Sequence, residues 1–169
     1  MKSVGIIGLG PMGQRHFQAC KKLFFSEIFL CDLDINKILQ LQNKNCYNNW
    51  HNLISEQKLD ILIISSNADS HYDILKYAIK KGVKRILCEK PFTTSLAKAK
   101  ELINLSKRYG AIVSVNHIRR WSNSYKKLKK LLNSKRFGGI KNIYFEMGGG
   151  QLASNGGHLF DLSLFLTGE

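Results

Sequence analysis

The sequence predicts an α/β protein: a parallel sheet with helices on both faces, followed by an incomplete α+β region. Three observations predict it. Short, near-continuous apolar strands alternate with amphipathic helices as far as Asn116, which is the pattern of parallel strands covered on both sides. A glycine-rich turn, Gly8-Leu9-Gly10-Pro11-Met12-Gly13, joins the first strand to the first helix. Beyond Asn116 the alternation stops. The rest of the chain holds two helices and a single strand, too little to make a sheet of its own. The first domain is therefore set at 1–117, and 118–169 is read as the beginning of a second, α+β domain.

The elements run in order along the chain. Val4–Ile7 is a strand, and a helix runs from Met12 to about Leu23. Ile28–Cys31 is a strand, and Ile35–Leu41 a short helix opening near Asp34. Asn43 to Gln57 is asparagine-rich, with a short strand expected at Cys46-Tyr47 and a short helix around Trp50–Ile54. Leu59–Ser65 is a buried strand. Ser70–Lys80 is a helix with Asp69 or Ser70 as N-cap and Gly82 as its stop. Lys84–Cys88 is the next strand. Ser95–Tyr109 is a helix whose inner face is read as Leu96, Ala99, Leu102, Ile103 and Ser106, and Ile112–Val115 is the sixth strand. In the second region Asn123–Asn133 is an amphipathic helix. Ile140–Met147 alternates as a strand buried on one side, Gly148-Gly149-Gly150 is a turn, and His158–Leu166 is a helix stopped by Gly168.

The glycine spacing carries a chemical meaning. Gly8 allows a tight turn at the strand end. Gly10 leaves room for a pyrophosphate against the backbone. Gly13 lets the helix pack closely, and the helix start offers free N–H groups to phosphates. The second strand ends in Asp32, about 20 residues beyond Gly13, the offset at which an acidic side chain bonds the ribose hydroxyls of NAD. Together these features predict a Rossmann-type dinucleotide site holding NAD in preference to NADP. No arginine directly follows Asp32 to receive a 2′-phosphate, although Asn36 and Lys37 lie close enough to soften the preference.

Composition narrows the class. The chain has 169 residues, 44% hydrophobic and 22% charged, which suits a globular protein. No apolar run reaches the length of a membrane span, and the N-terminus enters a strand at once, so no signal peptide is expected. Cys20, Cys31, Cys46 and Cys88 form no CxxC pair and are read as reduced packing residues of a cytoplasmic protein. The net charge of +14 raises nucleic-acid binding as a third, weaker reading. The densest basic run, Lys126-Lys127 and Lys129-Lys130, lies opposite Tyr125, Leu128, Leu131 and Leu132 on one helix, as a solvated face does. An anionic substrate such as a sugar nucleotide would suit the charge. His16, His51 and His117 have no sequence neighbours that suggest a metal.

Cys88-Glu89-Lys90-Pro91 closes the fifth strand at its carboxyl end, where open α/β sheets bind ligands. Pro91 restricts the residue before it, which fixes the direction of Lys90. A lysine beside a cofactor can assist proton transfer or orient a substrate oxygen. Arg119 and Arg120 read either as a bidentate clamp for a phosphate or carboxylate or as structural arginines joining the two regions. Trp121 either stacks on a sugar or covers the core.

These residues resemble the glucose–fructose oxidoreductase and inositol dehydrogenase family (Gfo/Idh/MocA). The matching features, in order, are Gly8 to Gly13, Ser65-Ser66-Asn67 with His71, Glu89-Lys90-Pro91, Arg119-Arg120-Trp121 and His158-Leu159-Phe160-Asp161. The resemblance implies an NAD(P)-dependent oxidoreductase acting on sugars, sugar nucleotides or cyclitols. It implies that Lys90 binds the substrate hydroxyl and nicotinamide ribose and that His158 is the acid/base. It also implies a cofactor site that adds Pro11, Met12, Ser65, Asn67, His71 and Glu89 to the glycines and Asp32. Asp161, three residues after His158, lies on the same helical face and could hydrogen-bond it.

Two departures from the family pattern stand out. An aspartate usually precedes the histidine by four residues. Here Ser154 stands there with Asn155 next, and neither takes up a proton at neutral pH, although either could orient substrate. Family members also run to about twice this length, with a large second-domain sheet that dimerises. The chain is thus expected to lack most of that sheet and to self-associate through an exposed strand edge. The alternative reading is a dinucleotide-binding fragment or regulatory subunit that does not turn over.

Overall fold

The structure is a computed structural model and describes residues 2–134, 136–146 and 155–168. It divides into two compact units, with the boundary between Asn116 and His117.

In the first unit the strands are β1 (Ser3–Ile7), β2 (Glu27–Cys31), β3 (Cys46–Tyr47), β4 (Ile61–Ile64), β5 (Arg85–Cys88) and β6 (Ile112–Val115). They form one parallel sheet in the order β3-β2-β1-β4-β5-β6. Between them lie helices α1 (Pro11–Lys22), α2 (Ile35–Leu39), α3 (Trp50–Glu56), α4 (Ala68–Lys80) and α5 (Leu96–Tyr109). Side chains alternate across the pleat, so adjacent strand residues serve opposite cores. Ile6 and Ile63 join Phe17 and Cys20 of α1 and Ile38 of α2 on one face. Ile7, Leu62 and Ile64 join Leu53 of α3, Ile74 and Leu75 of α4 and Leu102 of α5 on the other. The chain leaves β1 for β2 on one side and returns to β4 on the other. The carboxyl ends of β1 and β4 are therefore the point where the winding reverses.

Two expectations about this unit need correction. Helix α4 opens earlier than expected, with Asn67 rather than Asp69 or Ser70 at its N-cap. The hydroxyl of Ser70 bonds back to the Asn67 carbonyl from inside the helix. In α5 Leu102 is buried, but Leu96 and Ile103 are exposed. This helix lies over the sheet margin, where β6 is the edge, so only a narrow stripe of it is covered.

The second unit contains a 3₁₀ turn (Ile118–Trp121) and helices α6 (Asn123–Asn133) and α7 (Gly157–Thr167). The strand expected at Ile140–Met147 is not formed over the described part: residues 140–146 have no ladder. The physical reason is that a strand is stabilised by its neighbours' backbone groups, and among the described residues no other segment of this unit supplies them. The strand edge expected to recruit another chain is therefore not formed there either. Met147, Gly148-Gly149-Gly150 and Ser154 lie outside the described residues. Among the described residues, no helix is long and apolar enough to cross a membrane.

Candidate cofactor and active site

The glycine-rich turn adopts the geometry its spacing requires. Gly8 has φ +88, and a side chain there would strike the backbone of Ser65 and Ser66. A Cβ on Gly13 would meet the Gly8 carbonyl, so only glycine lets α1 start this close to β1. At Gly10 nothing stands within 4 Å of a built Cβ. Gly10 also lines a cavity of about 390 Å³ together with Gly8, Asp32, Ser65 and Asn67. A side chain at Gly10 would therefore meet open space rather than protein. Pro11 fills the first turn of α1, where its missing N–H costs nothing, and the N–H groups of Met12 and Gly13 come next.

Asp32 does more than end its strand. Its Oδ2 accepts from the Leu9 N–H at 2.6 Å, and its Oδ1 from the Asp34 N–H at 2.9 Å. The carboxylate thus ties the glycine-rich turn to the β2–α2 loop. Lys37 Nζ stands 3.7 Å from Oδ1. Ser65 fixes the opposite wall, its hydroxyl donating to the Gly8 carbonyl at 2.7 Å.

The Glu89-Lys90-Pro91 segment is held on both sides of Lys90. Before it, the buried Glu89 Oε1 accepts from Asn116 Nδ2 at 2.7 Å and from His16 Nε2 at 2.8 Å. Burial alone would raise the Glu89 pKa. The hydrogen bonds from His16 and Asn116 outweigh it and hold the carboxyl below its ordinary value. After Lys90, the Pro91 carbonyl faces His71 Nδ1 at 2.8 Å, while His71 Nε2 faces the Ser66 carbonyl at 3.0 Å. His71 is 1% exposed. It links the β4–α4 loop to the β5–α5 loop, and its ring does not reach the cavity surface. Lys90 itself is half-buried. Sequence patterning gave His16 and Asn116 no part in this site. Their signals were one helical turn of spacing from Gly13, and a polar residue at the carboxyl end of the sixth strand.

In the second unit Arg120 holds a carboxylate, but an internal one. Its Nε donates to both oxygens of Asp161 at 2.8 Å, and its guanidinium lies 5.5 Å from the centroid of the Phe165 ring. Asp161 is therefore engaged by Arg120, with His117 Nδ1 3.9 Å away. His158 is half-buried in the first turn of α7, its ring perpendicular to that of His117 at 6.1 Å. Arg119 and Asn155 are half-buried, and Trp121 is 67% exposed with Lys126 over its ring.

Residues 2–117 match the family described as "Oxidoreductase family, NAD-binding Rossmann fold", GFO_IDH_MocA. The myo-inositol 2-dehydrogenase of Thermotoga maritima is 24% identical over 98% of this chain and 55% of its own length. The inositol 2-dehydrogenase of Serratia proteamaculans is 28% identical over 80% of this chain and 42% of its own. Among solved structures, myo-inositol 2-dehydrogenase from Lactobacillus plantarum superposes with a TM-score of 0.86 at 24% identity, covering 99% of this chain and 56% of that one. A scyllo-inositol dehydrogenase from Lactobacillus casei with bound NAD(H) and scyllo-inositol gives 0.86 at 16% identity, with 99% and 56% covered. The chain spans about half the length of the curated relatives it matches. With its strand order, its glycine-rich turn and the match over residues 2–117, the chain belongs to the Gfo/Idh/MocA oxidoreductase family with an NAD-binding Rossmann fold.

Proposed function

We propose that this protein is an NAD-dependent oxidoreductase acting on a hydroxyl of a sugar, sugar nucleotide or cyclitol. The observation that carries the reading is the cavity at the carboxyl ends of β1 and β4, open at Gly10 and bounded by Asp32. The turn around Gly10 to Gly13 would hold the pyrophosphate on backbone N–H groups, and Asp32 would accept from the ribose hydroxyls. When bound, the nicotinamide supplies hydride transfer. Lys90 orients the substrate hydroxyl and handles its proton at Nζ, and His158 is the acid/base of the second unit. His16, Asn116 and His71 act through the loops that carry Lys90 and Asn67 and do not touch the cofactor. The names of the inositol dehydrogenases it resembles favour a cyclitol as the first substrate to try. The four free cysteines fit a reducing, cytoplasmic setting. Burial, with a smaller push from Asp32 and Glu89 respectively, raises the thiols of Cys31 and Cys88 to about 12, so both are unreactive.

The test is a calorimetric titration with NAD, then a turnover assay on a panel of cyclitols and sugars, read by nicotinamide absorbance. NAD binding with turnover of a panel member supports the proposal. Binding with no product on any of them favours the alternative, a dinucleotide-binding unit without turnover. No binding rejects both.

A further inference from the structure

We infer that His16 is a positioning residue for Lys90: through Glu89 it pins the β5–α5 loop to the helix that opens at the glycine-rich turn, and so sets the direction from which the lysine meets substrate. The inference rests on the reading that Lys90 handles the proton of a substrate hydroxyl.

The contact begins with spacing. His16 follows Gly13 on α1 by about one helical turn. A Cβ on Gly13 would meet the Gly8 carbonyl, so the helix comes this close to the sheet only with glycine there. The close approach brings the His16 ring to the carboxyl end of β5, although β5 lies two strands over from β1, about 10 Å at ordinary strand spacing. There His16 Nε2 stands 2.8 Å from Glu89 Oε1, with 14% of the His16 side chain and 10% of the Glu89 side chain accessible. Asn116 Nδ2, just past the end of β6, donates to the same oxygen at 2.7 Å. The Glu89 carboxylate also accepts from the N–H of Lys90 itself. One buried anion thus joins α1, the end of β6 and the backbone of the lysine. Asn116 holds it from the sheet, and His16 holds it from the helix. Removing the helical hold leaves a buried carboxylate short of a donor, so it turns toward water and draws the Lys90 N–H with it. A displacement of about 1 Å at a catalytic group costs about 10²-fold in rate.

The experiment compares the whole native chain with His16→Leu and His16→Asn, which break the bond, and with His16→Gln, whose amide nitrogen reaches Glu89 from the place of the imidazole Nε2. Each is measured for amide hydrogen exchange over residues 88–93, for NAD affinity by calorimetry and for turnover on the cyclitol and sugar panel. In both bond-breaking variants the Lys90 amide should exchange about tenfold faster. NAD affinity should stay within about threefold of native, because the pyrophosphate grip lies on backbone N–H groups nearer the helix start. Where the native chain turns a panel member over, kcat should fall about 10²-fold with KM for NAD little changed. His16→Gln should restore both the exchange rate and kcat, a recovery that a histidine needed only for packing would not show. Native-like exchange in His16→Leu and His16→Asn overturns the inference, as does failure of His16→Gln to restore it. Loss of NAD affinity in step with kcat also overturns it, since His16 would then be a cofactor residue. Absence of native turnover on every substrate counts against the reading of Lys90 and not against the clamp, which the exchange of the Lys90 amide decides by itself.

Discussion

Residues 2–116 and residues 117–168 differ in what covers their apolar side chains. In the first unit two cores flank a six-stranded sheet, and Ile6, Leu30, Leu62, Ile64 and Leu75 are fully buried. In the second, Leu162 and Leu166 are the buried hydrophobic residues among those described, while Leu128, Leu131, Phe145, Phe160 and Leu164 are exposed. The second unit relies instead on polar and cationic contacts: Arg120 on Asp161, and Arg120 and Lys129 against the Phe165 ring. The difference shows where autonomy lies. A unit that closes its own cores can hold a ligand site in place. Where few of the described residues are covered, the polar and cationic contacts weigh more in holding the helices.

The largest effect that would sharpen this contrast comes from making the same substitution in both units. Leu62→Ala should destabilise the first unit by about 2–5 kcal/mol, since it leaves a cavity in a packed core. Leu162→Ala should cost the second unit less, about 1–2 kcal/mol, because half-exposed neighbours can collapse around it. The chain has two tryptophans, Trp50 in the first unit and Trp121 in the second. Urea unfolding monitored by fluorescence in Trp121→Phe and Trp50→Phe backgrounds reads each unit separately. Equal losses would contradict the contrast.

Next in size is Arg120→Ala. It removes both short bonds to Asp161 and should cost the second unit about 1–3 kcal/mol while leaving the Trp50 transition in place. A shift in that transition as well would show that the two units are energetically one.

The sequence pattern made the first unit readable almost completely, down to the two-residue β3, because its periodicity, its turns and its caps agree with one another. Where the reading failed, a property invisible in a linear pattern decided the outcome. The exposure of Leu96 and Ile103 depends on α5 lying at the sheet margin. Residues 140–146 alternate correctly, but alternation supplies no partner strand. The geometry of the glycine-rich turn and the place of Asp32 beside it were legible because spacing sets them. The link between His16, Glu89 and Asn116 was not, because α1, β5 and β6 meet only after the sheet has wound. Arg120 was legible as a carboxylate binder, but not that the carboxylate would be Asp161, far along the same chain.

The smallest expected effect is on acid stability of the first unit. The folded Glu89 pKa lies below its unfolded value of about 4.5. Its contribution to stability is therefore fully present above that value and is lost as pH falls through the folded pKa. In Glu89→Gln the Trp50 transition should be weaker near neutral pH but should change less between about pH 5 and pH 3 than in the native chain. An identical pH dependence would show that the carboxylate is not held as described.

The most direct test of the central claim is to compare NAD binding by residues 1–116 alone with binding by the whole chain, using calorimetry on both. Among the described residues, every side chain that lines the Gly10–Asp32 cavity, and every bond that fixes its loops, lies within the first unit. The isolated unit should therefore fold and bind NAD within about threefold of the whole chain, a free-energy difference under about 0.7 kcal/mol. An unfolded fragment, or one that has lost NAD binding while the whole chain retains it, would contradict the account.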